Sequence, residues 1–183
     1  MKKSTYVLLW TLALALLAAV LVFVNLPEKA PPSVVDPTEN TPVPLGAAVG
    51  ETLPDFTITC TDGSAFTLSA QRGKVVVINL WATWCTPCVR ELPNFDRLLR
   101  ERKVAVLAVH APPVTTDVPA YLAAYGYAIP FAVDEDGSLS ALLNASTVLP
   151  QTIVVSPEGV VTYNQEGALD YETLVSLVDA AAE

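Results

Sequence analysis

The stretch Asn79-Leu80-Trp81-Ala82-Thr83-Trp84-Cys85-Thr86-Pro87-Cys88 decides the fold, because it joins a predicted buried strand to a predicted helix. The strand opens at Val75 with a run of β-branched residues, and its unbroken apolar character is typical of a strand buried on both faces. A helix over about 87–103 and a second apolar run at 104–109 follow it. This order of strand, helix and strand predicts an α/β fold with a right-handed crossover.

The two cysteines of this stretch carry its chemistry. Cys85 is predicted at the helix N-terminus, where unpaired backbone N–H groups and the helix dipole lower the pKa of a thiol. Cys88 lies about one turn further on, so the two sulfurs can close a small ring, and Pro87 between them suits the first helical turn. We expect Cys85 to attack a substrate disulfide and Cys88 to resolve the mixed disulfide. This chemistry needs no cofactor and no metal.

Other uses of the cysteine pair are a structural disulfide and half of a zinc site. Zinc would need two further ligands, and only Cys60 and His110 could supply them, from separate segments. Cys60 is more simply a small buried hydrophobe, with a third redox thiol as the alternative, and His110 at a strand end is more simply structural. A peroxidase is disfavoured, because Ala82 stands where a threonine is expected three residues before a peroxidatic cysteine.

The N-terminal residues predict a membrane anchor. Lys2 and Lys3 precede an uncharged apolar run over residues 6–26, which as a helix spans roughly 30 Å, the thickness of a bilayer core. The positive-inside rule puts residues 1–5 in the cytoplasm and the remainder outside it. The alternative is an unusually long signal peptide that is removed. We therefore expect an extracytoplasmic domain held at the cell membrane by a single span.

The composition changes after the apolar run. Residues 27–46 are rich in proline without a helical or strand period, which predicts a semi-rigid linker. Residues 47–183 have the patterns of one folded domain. The chain of 183 residues has 19 acidic against 10 basic residues and a net charge of −9. It lacks the basic excess that neutralises phosphates, which argues against nucleic acid as a partner.

The other elements of the predicted domain are short. A β-hairpin over residues 56–68 is expected to cover one edge of the main sheet. After the second strand, the predicted elements are a helix near 116–125, a strand at 130–133, a helical turn after Asp136, strands at 152–156 and 160–163 joined by a tight turn, and a last helix from Tyr171.

The cysteine stretch, with Glu91-Leu92-Pro93 after it, closely resembles the TlpA/ResA-like thioredoxin-like disulfide reductases. The resemblance covers nearly the whole predicted domain, including the entry hairpin and a proline before the penultimate strand. It implies a thioredoxin-like fold with an N-terminal β-hairpin and a central helix–strand insertion, preceded by one transmembrane helix. Members of this family are typically anchored by one N-terminal span and serve cytochrome c maturation or the reduction of spore or envelope proteins.

The resemblance also implies a substrate-binding surface. Pro150 would be a cis-proline against the cysteine pair, which leaves the Leu149 backbone free to pair with an extended substrate. The alternative is an ordinary trans-proline that starts a strand. Trp84 is assigned to the same substrate-binding surface and, with Trp81, is expected to pack around the sulfurs rather than bind a cofactor. Many members have a Gly-Val-Pro-Thr-like run where this chain has Val148-Leu149-Pro150-Gln151, which leaves partner choice open.

Glu91 stands in the position of the family's active-site acid, three residues after Cys88 and on nearly the same helix face. Thioredoxins carry a buried aspartate six residues before the first cysteine, where this chain has Asn79, which cannot titrate. We therefore expect Glu91 to move protons at Cys88. The alternative is a solvated glutamate that interacts with the helix dipole.

These features together predict an extracytoplasmic protein-disulfide reductase. The reduced cysteine pair would act on oxidised thiols of exported proteins, apocytochrome c among them, and a membrane thiol donor, implied by the resemblance, would re-reduce it. A monomer is expected. One alternative is a thiol oxidase or isomerase, which differs in reduction potential. Another is a tethered module that holds a metal or an apoprotein through its thiols, which would bind metal tightly and turn over no disulfide.

Overall fold

The computed structural model describes residues 46–183. The predicted cytoplasmic residues 1–5, the predicted anchor at 6–26 and all but the last residue of the predicted linker at 27–46 lie outside the described residues. Within residues 46–183, no helix combines the length and the apolar character of a membrane span. This part of the chain forms a thioredoxin-like α/β domain, as predicted.

The elements follow the predicted order. The strands are β1 (Thr57–Thr59), β2 (Ala65–Thr67), β3 (Val75–Trp81), β4 (Val104–His110), β5 (Phe131–Val133), β6 (Gln151–Val155) and β7 (Val161–Glu166). The α-helices are α1 (Thr86–Glu101), α2 (Val118–Leu122), α3 (Ser138–Leu142) and α4 (Tyr171–Ala181), and a 3-10 helix spans Ser69–Gln71. Helix α2 is shorter than predicted: Asp117 caps its start by accepting a hydrogen bond from the Ala120 N–H at 3.0 Å, and the chain turns at Gly126, where φ is +63°.

A five-stranded mixed sheet with the strand order β5-β4-β3-β6-β7 lies at the centre of the domain. Strands β3, β4 and β5 are parallel, whereas β6 is antiparallel to β3 and β7 is antiparallel to β6. Every residue of β3 and β4 is buried, as their continuous apolar runs predict. The tight turn between β6 and β7 closes with a hydrogen bond from the Gly159 N–H to the Ser156 carbonyl at 2.9 Å.

The entry hairpin forms a separate two-stranded sheet of β1 and β2. Cys60, which follows β1, makes an antiparallel bridge with Ala132 of β5, and the Thr61 N–H donates to the Phe131 carbonyl at 2.7 Å. The hairpin therefore lies along the β5 edge, and the prediction that it covers one edge of the sheet is confirmed. Cys60 itself is 5 % exposed within an apolar cluster, as expected of a small buried hydrophobe.

Apolar clusters cover both faces of the sheet, because successive side chains of a strand point to opposite sides. Val75, Val77 and Trp81 belong to one cluster, together with the buried faces of α1 and α4. The other cluster includes Val76 and Ile78 and the hydrophobic residues of the entry hairpin. Both cysteines of the pair belong to the first cluster. Close packing therefore fixes the start of α1 against the sheet.

Candidate active site

The first turn of α1 positions the cysteine pair. Cys85 is the N-cap residue: its backbone is extended, with φ of −92° and ψ of 97°, and its Sγ accepts a hydrogen bond from the Cys88 N–H at 3.3 Å. Pro87 lies in the first turn, where its missing N–H leaves no donor unpaired. The Cys85 sulfur is thus located at the positive end of the helix, a position that stabilises a thiolate.

Cys85 and Cys88 form a disulfide, with their Cα atoms 5.3 Å apart. Cys85 retains 5 % exposure, whereas Cys88 is completely buried. A substrate sulfur can therefore reach Cys85 more readily than Cys88. This asymmetry suits Cys85 to the first exchange with a substrate and Cys88 to the internal exchange that follows it.

Glu91 is buried, with an exposure of 3 %. Its Oε1 accepts a hydrogen bond from Asn79 Nδ2 at 2.8 Å, and its Oε2 accepts one from the Leu169 N–H at 2.8 Å. Burial raises the pKa of Glu91 from 4.5 to about 7, against the lowering effect of the two hydrogen bonds. The alternative of a solvated glutamate is therefore wrong. A carboxyl with this pKa can both accept and release a proton near neutral pH.

The partners of Glu91 were not predicted from the sequence. Asn79 on β3 is completely buried, and its Oδ1 has no hydrogen-bond partner among the described residues. In the sequence, Asn79 stands out only because it replaces the thioredoxin aspartate, and this replacement does not indicate a contact with Glu91. Leu169 contributes a backbone N–H from the turn before α4, 78 residues along the chain, and a backbone donor leaves no signal in the sequence.

A cleft of about 250 Å³ opens between α1 and the turn before α4. Glu91 contributes to its wall, together with Pro87, Arg90, Asn94, Ala168, Leu169 and Asp170. Asn94 Nδ2 donates to the Leu169 carbonyl at 3.0 Å, so α1 holds both polar groups of Leu169, the N–H through Glu91 and the carbonyl through Asn94. Glu91 therefore borders a solvent-accessible cleft although little of its own surface is exposed.

The segment before β6 supplies a second side of the candidate site. The peptide bond between Leu149 and Pro150 is cis, as the resemblance implies, and the trans alternative is wrong. The Pro150 carbonyl accepts a hydrogen bond from the Gly167 N–H at 2.8 Å. Leu149 packs against the apolar cluster that contains both cysteines. Within the described part of the chain, the Leu149 N–H and carbonyl make no backbone hydrogen bond.

The aromatic residues around the cysteines have different environments. Trp84 is 51 % exposed, and its Nε1 donates to the Pro113 carbonyl at 3.3 Å. Trp81 is completely buried, and its ring meets the His110 ring edge-on at a centroid distance of 5.2 Å. His110 Nε2 accepts a hydrogen bond from the Thr83 N–H at 3.0 Å, and burial lowers the pKa of His110. His110 thus holds the turn before Cys85, which agrees with the structural role expected for it.

Most of the domain matches a known protein family: the profile of the Redoxin family covers residues 48–181. The chain belongs to the Redoxin family. Among related redoxins, the thiol-disulfide oxidoreductase ResA of Geobacillus kaustophilus is 34 % identical over 142 residues, which cover 75 % of this chain and 78 % of the relative. ResA of Bacillus subtilis is 30 % identical over 135 residues, which cover 69 % of this chain and 75 % of the relative.

Solved structures agree with this membership. A protein from Chlorobium tepidum described as thiol:disulfide interchange protein DsbE has a TM-score of 0.66 and 26 % identity, covering 74 % of this redoxin and 99 % of its own chain. The predicted TlpA/ResA-like family is confirmed. The predicted enzyme class is confirmed with it: this redoxin is a thiol–disulfide oxidoreductase of the protein-disulfide reductase type.

Proposed function

We propose that this redoxin reduces disulfides of exported proteins by exchange through Cys85 and Cys88. The observation that carries the proposal is the placement of the pair at the start of α1, with one sulfur at the helix N-cap and the other completely buried. The Cys85 thiolate attacks one sulfur of the substrate disulfide, whose S–S bond breaks, and the other substrate sulfur leaves as a thiolate. Cys88 then attacks the Cys85 sulfur, which releases the second substrate thiolate. Two electrons pass from the pair to the substrate.

Glu91 is proposed as the proton acceptor for Cys88 in the second exchange. A thiol must lose its proton to become a nucleophile, and a neighbouring carboxylate with a pKa near 7 can take that proton at neutral pH. A bound substrate covers Cys85 and blocks solvent on that side, and the cleft between α1 and Leu169 then lets Glu91 release the proton taken from Cys88 to solvent. Glu91 therefore returns to the carboxylate form without release of the substrate.

Asn79 can support both protonation states of Glu91. With the carboxylate, Asn79 Nδ2 donates to Oε1, as in the geometry at 2.8 Å. With the carboxylic acid, half a turn of the amide brings Asn79 Oδ1 toward the new O–H, and this oxygen has no other partner among the described residues. The amide thereby keeps a hydrogen bond to Glu91 before and after proton transfer, without adding a second charge.

The substrate-binding role is assigned to Leu149, Pro150 and Trp84. The free N–H and carbonyl of Leu149 can pair with an extended peptide that flanks the substrate disulfide. The half-exposed ring of Trp84 offers an apolar surface beside Cys85. Both features favour a partly unfolded protein segment as the substrate, because a segment of that kind can adopt an extended backbone.

The N-terminal sequence supports an extracytoplasmic setting for the proposed exchange. An apolar run at 6–26 with Lys2 and Lys3 before it supports an anchor with the domain outside the cytoplasm. In that setting the substrates are exported proteins, apocytochrome c among them, and a membrane thiol donor returns two electrons to the Cys85–Cys88 disulfide. Resistance of the full chain to alkaline carbonate extraction, with an intact N-terminus, is the expected result. A mature N-terminus after Ala30 would contradict the anchor.

Insulin reduction tests the proposed exchange. We expect Cys85→Ser to abolish turnover, because the attacking sulfur is lost. Cys88→Ser should stop after the first exchange and accumulate a mixed disulfide on Cys85, since no second thiol resolves it. Cys60→Ser is the matched control and should keep full turnover, because Cys60 lies in the other apolar cluster. Full turnover by the Cys85→Ser protein would overturn the proposal.

A further inference from the structure

A chain of hydrogen-bonded amides lies beside the cis-proline. Gln151 follows Pro150 directly, opens β6 and is 4 % exposed. Its Oε1 accepts a hydrogen bond from the Ser146 N–H at 2.7 Å, and its Nε2 donates to Asn164 Oδ1 at 2.6 Å. Asn164 Nδ2 donates in turn to the Ala47 carbonyl at 2.8 Å. These bonds connect the segment before the proline to β7 and to the start of the described chain.

The segment at 146–149 has no regular secondary structure. The Val148 N–H donates to Ser146 Oγ at 3.0 Å, which is a contact inside the segment itself. As far as the described residues go, the bond from the Ser146 N–H to Gln151 is the one hydrogen bond that ties this segment to the sheet. Leu149 is therefore held on one side by Pro150, whose carbonyl is bound to Gly167, on the other by Gln151 through Ser146, and by its own apolar packing.

The Gln151 side chain is not required for strand pairing. The Gln151 backbone already pairs with Leu80 of β3 and Glu166 of β7. A threonine, the residue at this place in a Gly-Val-Pro-Thr-like run, carries a side chain two atoms shorter and lacks the amide that binds two partners. A buried amide bound at both ends keeps its position, because displacing it leaves a donor and an acceptor unpaired.

We infer that Gln151 is a positioning residue for extended peptide substrates. It fixes the segment that carries Leu149, so that the free Leu149 N–H and carbonyl are already placed to pair with a substrate strand. A site ordered before binding loses less conformational freedom when the peptide arrives, and its affinity for the peptide is higher. This inference rests on the proposed function. It predicts that Gln151 matters for peptide disulfides and not for small disulfides without a peptide backbone.

The test compares two substrates in variants of the full chain. Gln151→Leu conserves much of the side-chain volume and removes both hydrogen bonds, and Gln151→Thr introduces the shorter residue. Gln165→Leu is the matched control, since Gln165 is exposed on the neighbouring strand and makes no side-chain hydrogen bond among those described. The substrates are a disulfide-bridged octapeptide and 5,5′-dithiobis(2-nitrobenzoate). With pre-reduced protein in single-turnover reactions, where Cys85 and Cys88 supply the two electrons, the peptide concentration that gives the half-maximal rate should rise about three- to tenfold in both Gln151 variants, the factor that corresponds to one net hydrogen bond.

The two substrates separate positioning from general damage. Reduction of the small disulfide should be unchanged in both Gln151 variants, and Gln165→Leu should match the wild type with both substrates. An unchanged half-saturating peptide concentration in a folded Gln151 variant, or an equal loss with both substrates, would overturn the inference. If Gln151→Leu fails to fold, Gln151→Thr decides alone. A wild-type protein that reduced neither disulfide would overturn the proposed function and this inference with it. An active wild type whose Gln151 variants reduce the peptide equally well would overturn the inference alone.

Discussion

Helix α1 carries two glutamates in opposite environments. Glu91, near the cysteines, is 3 % exposed and bound by two neutral donors. Glu101, in the last turn, has a side chain that is 49 % exposed, and it pairs with Arg97 at 3.0 Å and accepts a hydrogen bond from the Tyr171 hydroxyl at 2.6 Å. The Tyr171 hydroxyl and then Arg97 lower the pKa of Glu101, whereas burial raises that of Glu91 to about 7. The same residue type thus has a pKa near neutrality where it is buried and a lowered pKa where it is exposed and paired.

The groups around Glu91 limit what else can titrate there. Cys88 precedes it on α1, and Arg90 and Asp170 line the same cleft. On β7, burial raises the pKa of Tyr163, and the charge of Glu91 adds to that rise. With its pKa raised, Tyr163 keeps its proton through neutral pH. In the oxidised protein, Glu91 is therefore the group of this cleft that gains or loses a proton near pH 7.

The largest effect is expected from Glu91→Gln on the resolving step. An amide cannot accept the Cys88 proton, so resolution of a preformed mixed disulfide should slow by about 10²-fold, the low end of the range for a positioned acid or base. Stopped-flow release of the second substrate thiol measures this step. Glu101→Gln, the same substitution in the same helix, is the control. Equal resolution rates for wild type and Glu91→Gln would contradict the proton-acceptor role.

The next effect concerns stability against pH in the oxidised protein. The folded pKa of Glu91, about 7, exceeds the unfolded value of 4.5, so the folded state binds more protons between these limits. The stability from this group is fully present below pH 4.5 and is lost as the pH rises to 7, by up to roughly 3 kcal/mol. Urea unfolding at a series of pH values should show this loss in wild type relative to Glu91→Gln. Parallel curves for the two proteins would contradict it.

A smaller effect is expected from Asn94→Ala, which removes the hydrogen bond to the Leu169 carbonyl. The free energy of unfolding should fall by about 1 kcal/mol, the net value of one hydrogen bond. The Leu169 N–H is then held less firmly against Glu91, and since this bond lowers the Glu91 pKa, the pKa should rise further. Urea unfolding at a series of pH values measures both effects, the second as a shift to higher pH of the range over which the stability from Glu91 is lost. An unchanged pH range would show that Asn94 does not position Leu169.

The smallest effect is expected from Glu101→Gln. Its carboxyl is exposed and distant in sequence from the cysteines, so disulfide turnover and the cysteine titration should match those of the wild type. Insulin reduction between pH 6 and 8 provides the measurement. A change in the pH dependence of turnover would mean that Glu101 also affects the cysteine pair. It would contradict the claim that the two glutamates have different roles.

Local patterns predict much of this molecule. The apolar runs of β3 and β4 and the placement of Cys85 at a helix start depend on neighbours in sequence, and all three agree with the structure. The burial of Glu91 was also within reach of the sequence. Cys88, Leu92 and Phe95 recur at helical spacing, and position 91 falls within their apolar stripe.

The remaining features depend on contacts between distant segments. Asn79 and Leu169 contact Glu91 through the packing of α1 against β3 and against the turn before α4, and no local pattern specifies either contact. The Gln151 side chain likewise finds Ser146 through an irregular segment, where there is no period to interpret. The two cysteines, Glu91 and Pro150 are therefore predictable from the sequence and the family resemblance. The contacts of Asn79, of the Leu169 N–H and of the Gln151 side chain are not, because they exist only in the tertiary structure.

Titration of the cysteine thiols by pH-dependent alkylation tests the central claim most directly. The reduced wild type, Glu91→Gln and Glu101→Gln would be alkylated with iodoacetamide across pH 5–10, and modification at Cys85 and Cys88 would be followed separately by mass spectrometry. A Glu91 carboxylate raises the pKa of the thiol that it faces, so the Cys88 curve should move to lower pH in Glu91→Gln and stay in place in Glu101→Gln. Superimposable curves for all three proteins would contradict the claim that Glu91 acts on the cysteine pair.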